Sequence, residues 1–386
     1  MYPTRSAAPR HREATPALRI ALLGTPAHGP AGFDTALEEI GKRLVDRGHD
    51  VTLVGHVESP EQLGAHVVMP AGGRSLASTA SLIVARRPQV AVLLDVAAAP
   101  LLPALRSGGA AIALRATGLT GPRPQRRAGI RSSRAADALA VRQADALIAD
   151  TAEVAGAIRS AYGAEAEVLP SGARILRNTP ADALTPLGLQ PGGFHLVAAE
   201  LAAEGLLDAV LDGYRRSSAR LPLVVLGGDT QPGRSGETGG IRLLGPVRDQ
   251  RLLDQLHAHA LSSVHGTSTR GTSPAILAAM GAATAVVAMD TDLNRAIAGT
   301  AGSYFRSTDT LGTTFSEVER YAFRFRDLGA LMQERAKLRH DWNVVAERID
   351  AVAARLARTS TVERPAAARA ARVARSSAQR VGATHG

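Results

Sequence analysis

The feature that most constrains the fold is an alternation of short apolar runs with helical stretches, which begins at Leu18 and recurs along most of the chain. LRIALLG (Leu18–Gly24) has the composition of a buried strand. Leu37, Ile40 and Leu44 then recur at the spacing of one helix face. Strands that alternate with helices are typical of βαβ units, in which each helix connects two parallel strands. The sequence therefore predicts an α/β fold with parallel sheets.

Two series of strands and helices follow, separated by a Pro- and Gly-rich break at Thr179–Gly193. After Leu18–Gly24, the first series predicts strands at Val51–His56, His66–Met69, Val90–Asp95, Ala110–Leu114, Ala146–Ala149 and Glu167–Leu169. The second predicts strands at Phe194–Ala198, Leu223–Leu226, Ile241–Leu244, Leu261–Val264, Ala285–Met289 and Ser303–Phe305. Its helices are predicted at Gly205–Ser217, Arg248–Ala258 and Pro274–Gly281, and Thr314–Arg358 is predicted as a helical stretch that closes the fold.

These patterns predict two Rossmann-like domains between two basic tails. The predicted organisation is a disordered tail at 1–16, a first domain at 17–180, a linker at 181–193, a second domain at 194–340, a closing helix at 341–358 and a disordered Arg- and Ala-rich tail at 359–386. The tails carry +2 and +4 of the formal net charge of +10. They are either solvated or in weak contact with anionic lipid or nucleic acid. Because the tails have no aromatic residues interleaved with their arginines and no nucleic-acid-binding motif, we expect no nucleic-acid partner.

Composition excludes several kinds of chemistry. The chain of 386 residues has no cysteine, so it has no disulfide, thiolate zinc site or cysteine nucleophile. It has no HxxxH or serine-elbow motif, and no metal or acyl-transfer site is expected. It also lacks an apolar run long enough to span a bilayer and an apolar stretch near the N-terminus, which predicts a cytoplasmic protein.

Two glycine-bearing loops are candidate ligand sites, because ligands bind doubly wound sheets at the carboxyl ends of the strands. The first is Thr25–Phe33, in which His28, Gly29, Gly32 and Phe33 either contact a ligand or form the turn after the strand. The second is HGTSTRGTSPAILAAM (His265–Met280), in which Gly271 and Thr272 lead to Ser273 as N-cap and Pro274 as first helical residue. Exposed amides at such a helix start bind anions, and Arg270 lies beside that position. The alternative is a capped helix with a solvated arginine.

Further candidates lie nearby and in a basic segment. His265 either polarises a ligand group or caps the end of its strand, and Asp290 and Asn294 either contact a ligand or form a turn. The segment Arg115–Arg134 carries six arginines and no acidic residue. It is either a solvated loop or a contact for an anionic acceptor or a lipid surface.

Several of these segments resemble the family-four GT-B glycosyltransferases, and within them a rhamnosyltransferase-like branch of surface polysaccharide synthesis. HGTSTRGTSP with Ala278–Met280 is similar to the family's donor loop HGHSVGGTNPSLLEAM. MDTDLNRAIAGTAGSYF (Met289–Phe305) is similar to DNxFNREVLGxxGxYF, and ADALIADT (Ala144–Thr151) is similar to AD-x-x-I-x-D-S. Leu22–Gly55 and Asp341–Ile349 resemble the family's opening and closing segments, so the likeness is collinear from Leu18 to Ile349.

The resemblance implies a GT-B fold in which the first domain binds an acceptor and the second binds a nucleoside-diphosphate sugar, with retention of configuration. Gly271, Thr272 and Pro274 match the donor loop, and Asp290, Asn294 and Arg295 match the segment after it. Three departures are visible. The family's ribose-binding glutamate falls on Ala278, its diphosphate-binding arginine falls on Glu200, and its acceptor segment DGLEW is TGLTG (Thr117–Gly121).

Three functions are consistent with the sequence. The first is an active transferase that uses the sugar nucleotide as donor substrate, needs no cofactor, and acts on a glycan or lipid-linked acceptor, with peripheral contact to an anionic membrane. The second is a catalytically silent GT-B relative that binds or assembles with an active transferase, as the losses at Ala278 and Glu200 suggest. The third is another nucleotide-sugar enzyme, such as an epimerase, for which His265 and His28 are the candidate acid–base residues. The sequence assigns no catalytic residue.

Overall fold

The structure is a computed structural model, which describes residues 16–24, 35–55, 57, 60–68, 76–116, 134–198, 206–227, 237–245, 247, 249–266 and 272–359. Both predicted tails lie largely outside these residues, and so do the loop from His28 to Phe33, Glu200, Arg270 and Gly271.

The first domain contains a parallel seven-stranded sheet. Its strands are β1 (Arg19–Leu23), β2 (Asp50–Val54), β3 (His66–Val68), β4 (Val90–Leu93), β5 (Ala111–Arg115), β6 (Ala146–Ala149) and β7 (Glu167–Val168). Its helices are α1 (Thr35–Asp46), α2 (Leu76–Ala85), α3 (Leu102–Ser107), α4 (Arg134–Gln143) and α5 (Ala152–Tyr162). The strand order is β3-β2-β1-β4-β5-β6-β7, and every pair is parallel. This order contains the 3-2-1-4-5-6 arrangement of a Rossmann fold.

The second domain repeats that arrangement. Its strands are β8 (His195–Ala198), β9 (Leu223–Leu226), β10 (Glu237–Thr238), β11 (Ile241–Gly245), β12 (Ser262–His265), β13 (Ala285–Met289) and β14 (Ser303–Phe305). Its helices are α6 (Leu206–Arg216), α7 (Gln250–His259), α8 (Pro274–Gly281), α9 (Asp292–Ala298), α10 (Thr308–Arg320) and α11 (Ala322–Arg339). The order is β10-β11-β9-β8-β12-β13-β14, in which six strands are parallel and the short edge strand β10 is antiparallel. The sequence predicts the parallel strands but not β10.

Alternate residues of the buried strands enter cores on opposite faces of each sheet. In β1, Ile20 and Leu22 belong to one apolar cluster, whereas Ala21 and Leu23 belong to another. Because helices cover both faces, such strands are apolar at every position rather than at alternate ones. This burial explains why the apolar runs identify the parallel strands so well.

The predicted helical stretch Thr314–Arg358 consists of parts of three helices, the last of which corresponds to the predicted closing helix at 341–358. It is broken at Tyr321 (φ −119°, ψ 42°) and at His340 (φ −124°, ψ 15°), which separates α10, α11 and a last helix, α12, over residues 342–359. The break at Tyr321 contains neither Gly nor Pro, so the residue pattern gives no sign of it. At the second break the chain returns to the first domain, and α12 packs Val345 and Ile349 into the same cluster as Ile20.

The chain therefore passes between the domains twice, and the two crossings lie against each other. Leu169 belongs to the core of the first domain and Ala173 to that of the second. The Ala173 amide donates to the His340 carbonyl oxygen at 2.6 Å. A Cβ on Gly172 would lie 2.2 Å from the Trp342 ring, so only glycine fits there. Segment 181–193, which the sequence predicts as a linker, packs Leu184 and Leu189 into the core of the second domain.

No helix in the described ranges is both long enough and apolar enough to cross a membrane.

The end of α8 gives a testable consequence of this close packing. A Cβ on Gly281 would lie 2.0 Å from the Arg174 carbonyl oxygen, which is backbone and cannot move aside. We expect Gly281→Ala to lower the free energy of unfolding by about 1–3 kcal/mol, the usual cost of overpacking. Gly156 in α5 has nothing within 4 Å of an added Cβ. Gly156→Ala is therefore the matched control and should be neutral or stabilising by up to about 1 kcal/mol. Chemical denaturation of the two variants checks the difference, and equal stabilities would contradict the close contact.

Candidate functional site

The strand order reverses at one place in each sheet, between β1 and β4 in the first and between β8 and β12 in the second. At such a switch point the loops diverge to opposite faces and leave a crevice in which ligands bind. The loop after β1 contains His28, Gly29, Gly32 and Phe33, and the loop after β8 contains Glu200. Both lie outside the described residues, so the roles of these residues stay predictions. The described part of the second crevice is formed by the end of β12 and the start of α8.

The start of α8 presents amides that Ser273 does not cap. Ser273 occupies the N-cap position (φ −65°, ψ 125°) and Pro274 the first helical position, as the sequence predicts. The Ser273 hydroxyl, however, makes no capping hydrogen bond. The partial positive charge of the helix dipole is concentrated at this end. The start of α8 therefore has the properties of an anion-binding end.

His265 is the last residue of β12 and carries a neutral ring. Only 4% of the residue is exposed. Burial, with a smaller contribution from neighbouring His257, lowers the pKa of His265 to about 3. Its Nε2 atom has no hydrogen-bond partner in the part of the chain that the structure describes. At neutral pH His265 can therefore offer one hydrogen bond to a ligand but no positive charge.

Asp290, at the end of β13, holds two arginines. Its Oδ1 accepts from Arg295 Nε at 2.5 Å and its Oδ2 from Arg306 Nε at 2.6 Å. These hydrogen bonds, from Arg295 first and Arg306 second, lower the pKa of Asp290 to about 2. The Arg295 guanidinium also lies 4.4 Å from the centre of the Tyr304 ring. The cluster thus carries a net charge of +1, and the sequence patterns did not predict the contribution of Arg306.

Asn294 contacts the backbone at the start of the loop that follows β12. It is fully buried, and its Nδ2 donates to the Gly266 carbonyl oxygen at 2.9 Å and to the Met289 carbonyl oxygen at 2.8 Å. Its amide group therefore joins the ends of β12 and β13 and fixes the first residue of the loop. Asn294 is thus a buried structural link between two strand ends, whereas Arg295 remains half-exposed beside it.

Sequence analysis missed the first domain's contribution to this region. Arg115 ends β5 and Asp150 follows β6, and the two form a buried ion pair with Nε 2.7 Å from Oδ1. Interpreting Arg115 as part of a solvated basic loop is therefore wrong, because it is 4% exposed and neutralised. The Asp150 Oδ2 atom lies 3.4 Å from the Thr272 backbone nitrogen, across the interdomain boundary. Because β5 and β6 are parallel neighbours, their carboxyl ends lie side by side, and this adjacency brings Arg115 and Asp150 together.

Among the described residues, no group of three or more His, Cys, Asp or Glu side chains is arranged to hold a metal ion.

Comparison with known proteins gives matches in structure alone. The sequence matches no protein-family model and no curated protein. HepE from Anabaena in complex with UDP-glucose superimposes with a TM-score of 0.70 at 15% identity, over 87% of this chain and 99% of that one. Sucrose-phosphate synthase from Thermosynechococcus elongatus gives 0.69 at 15% identity, over 88% and 99%. WaaG, a glycosyltransferase involved in lipopolysaccharide biosynthesis, gives 0.61 at 13% identity, over 86% and 98%.

The chain has the GT-B fold. The fold class predicted from the sequence is confirmed, with the antiparallel edge strand β10 as the one addition to its parallel sheets. The start of α8 belongs to the second Rossmann-like domain of this chain and lies at the switch point of its sheet. The functional roles of His265, Thr272, Ser273, Pro274, Asp290, Asn294 and Arg295 stay predictions.

The buried histidines predict a loss of stability in mild acid. Burial lowers the pKa of His257 to about 4, that of His265 to about 3, and also that of His340. Below the unfolded pKa of about 6.5 the unfolded state binds protons that the folded state does not. The free energy of unfolding therefore falls as the pH falls below 6.5, by up to about 1.4 kcal/mol per pH unit for each ring.

Denaturation between pH 7.5 and 4.5 measures this slope. We expect His265→Gln to make the free energy of unfolding less dependent on pH, by the contribution of close to one proton. His66→Gln, at an exposed strand residue, is the control for the loss of one imidazole. An unchanged slope in His265→Gln would show that this ring does not titrate as its burial requires.

Proposed function

We propose that the protein is a glycosyltransferase that moves a sugar from a nucleoside-diphosphate sugar to a glycan or lipid-linked acceptor. The observation that carries the proposal is the start of α8, which has no side-chain cap from Ser273 and lies at the switch point of the second Rossmann-like sheet of a GT-B fold. HepE, which superimposes along almost its whole length, is described with UDP and with UDP-glucose. Retention of configuration and a hexosyl-type sugar are further parts of the proposal and rest on the sequence resemblance.

The described residues suit the departure of a diphosphate. The amides and the dipole at the start of α8 favour negative charge, and such oriented dipoles are the basis of electrostatic catalysis. His265 offers a neutral hydrogen-bonding nitrogen at the base of the same loop. Arg295 and Arg306 place two guanidinium groups, fixed by Asp290, at the same carboxyl edge of the sheet. These groups carry the phosphate charge with protein atoms alone.

The acceptor is proposed to bind the first domain. His28, Gly29, Gly32 and Phe33 lie in the loop after β1, and the arginines between Arg123 and Arg131 follow β5. A lipid-linked acceptor would bring these arginines to an anionic membrane surface on the cytoplasmic side, where basic residues bind peripherally. Retention of the protein by anionic vesicles at low salt, but not by neutral vesicles, is the expected result.

A silent relative is the second candidate, and one observation favours it. Ala278 is half-buried on α8 and has no polar side-chain atom, although the resembling family has its ribose-binding glutamate at this position. Glu200 in turn stands where that family has an arginine. A GT-B scaffold that has lost donor binding would act as a binding or assembly partner of an active transferase.

Calorimetric titration with UDP, GDP, dTDP and ADP, on the wild type and on Ala278→Glu, separates these candidates. A restored carboxylate accepts hydrogen bonds from the ribose hydroxyls, and one bond to a charged group contributes roughly 1.5–3 kcal/mol. We therefore expect micromolar binding of one nucleotide to the wild type, and tighter binding to Ala278→Glu by a factor of about 10–150. Ala330→Glu, at an exposed position of α11, adds the same charge away from the site and is the control.

Each outcome has a distinct meaning. Absence of binding to both proteins at millimolar concentration contradicts the transferase and favours the silent scaffold. Binding to the wild type that Ala278→Glu does not change contradicts the placement of the ribose beside α8.

A further inference from the structure

A carboxylate of the first domain lies at the anion-binding end of the second. Thr272, two residues before α8, donates its backbone N–H to the Asp150 Oδ2 atom at 3.4 Å. Asp150 belongs to the loop between β6 and α5, and only 5% of it is exposed. The contact is thus a hydrogen bond between domains, made by a charged group that has almost no access to water.

Three other contacts hold this carboxylate in place. Arg115 holds Oδ1 through Nε at 2.7 Å and through its terminal nitrogen at 2.6 Å. Ser171 Oγ donates to Oδ2 at 3.3 Å, so Oδ2 is the oxygen shared with Thr272. Ser171 also accepts a hydrogen bond on its carbonyl oxygen from His340 Nδ1 at 2.7 Å. The carboxylate is therefore held by residues of both chain crossings and lies between Arg115 and the second domain.

The position that Asp150 occupies would also suit a bound anion. A helix start favours negative charge through its free amides and its dipole. The loop that ends at α8 begins after His265, whose Nε2 atom is buried and without a partner among the described residues. His265 pairs with Ala288, which packs against Ile276 and Met280, so its side chain lies on the sheet face that carries α8. An unused buried nitrogen beside the loop is a second sign that the region is built to take a polar ligand.

We propose that Asp150 is an internal anion at the start of α8, and that a nucleoside diphosphate binds there only after Asp150 has moved away. The proposal rests on the proposed function, because it assigns the donor diphosphate to this position. The Asp150 carboxylate and a diphosphate cannot both lie against the Thr272 amide, since the repulsion of like charges is strong where water is excluded. Asp150 therefore lowers the affinity for the donor and holds the two domains together while the donor is absent.

Removal of this charge tests the proposal. Asp150→Asn keeps the shape of the side chain, and we expect it to bind one of UDP, GDP, dTDP and ADP about tenfold more tightly than the wild type, with a larger difference at low salt than at high salt. Asp145→Asn is the matched control, because Asp145 also precedes α5 in the chain and pairs with an arginine, Arg106 at 2.8 Å, but is exposed. Equal affinity of the wild type, Asp150→Asn and Asp145→Asn for the nucleotide would overturn the proposal and leave the proposed function standing.

Asp150→Asn leaves Arg115 buried without its charged partner, which can prevent folding. A second variant avoids this problem. Arg115→Met combined with Asp150→Leu replaces the whole ion pair by apolar side chains, an exchange that is often neutral for stability. This double variant also lacks the carboxylate and should also bind the nucleotide more tightly. Unchanged or weaker binding by a folded double variant counts against the proposal.

Measurements without nucleotide separate failure of the proposal from failure of the proposed function. In Asp150→Asn or the double variant, we expect faster amide hydrogen exchange in the peptide that contains Thr272 and a larger radius of gyration in X-ray scattering. If these changes occur while no protein binds a nucleotide, the interdomain contact is real and the diphosphate assignment fails together with the proposed function. If neither changes, Asp150 does not hold the domains together and the proposal is overturned.

Discussion

The structure depends on the place where the chain crosses twice between its domains. There Gly172 lies directly against the Trp342 ring, the Ala173 amide bonds to the His340 carbonyl oxygen, and α12 inserts its apolar face into the core of the first domain. These contacts leave no room for a side chain at Gly172. They also determine where the end of β6 meets the start of α8, so the interdomain contact between Asp150 and Thr272 follows from them.

The carboxylates of the candidate site are all paired with arginines among the described residues. Asp290 is shared by Arg295 and Arg306, and Asp150 is paired with Arg115. His265 is neutral because it is buried. A ligand therefore meets fixed dipoles, hydrogen-bond donors and the single excess positive charge of the Asp290 cluster, and on our proposal an anion that binds at α8 also displaces a carboxylate.

Much of the fold is predictable from the sequence, since the parallel strands are buried on both faces. Leu223–Leu226, Ala285–Met289 and Ser303–Phe305 have the predicted bounds because each is a short apolar run between turn residues. The break at Tyr321 was missed, because neither Gly nor Pro marks it. The strand β10 was missed because it has two residues and no apolar run. In the site, Pro274 and Ser273 follow from helix-start signals, whereas the Arg115–Asp150 pair and Arg306 depend on which strands are neighbours in space.

A crystal structure grown with the nucleoside diphosphate that the protein binds tests the central claim most directly. The claim is that the start of α8 is the diphosphate position and that Asp150 occupies it in the absence of ligand. The account predicts diphosphate oxygens within hydrogen-bond distance of the first-turn amides of α8, with Asp150 withdrawn from Thr272. A diphosphate bound elsewhere, or bound at α8 while Asp150 still contacts the Thr272 amide, would contradict it.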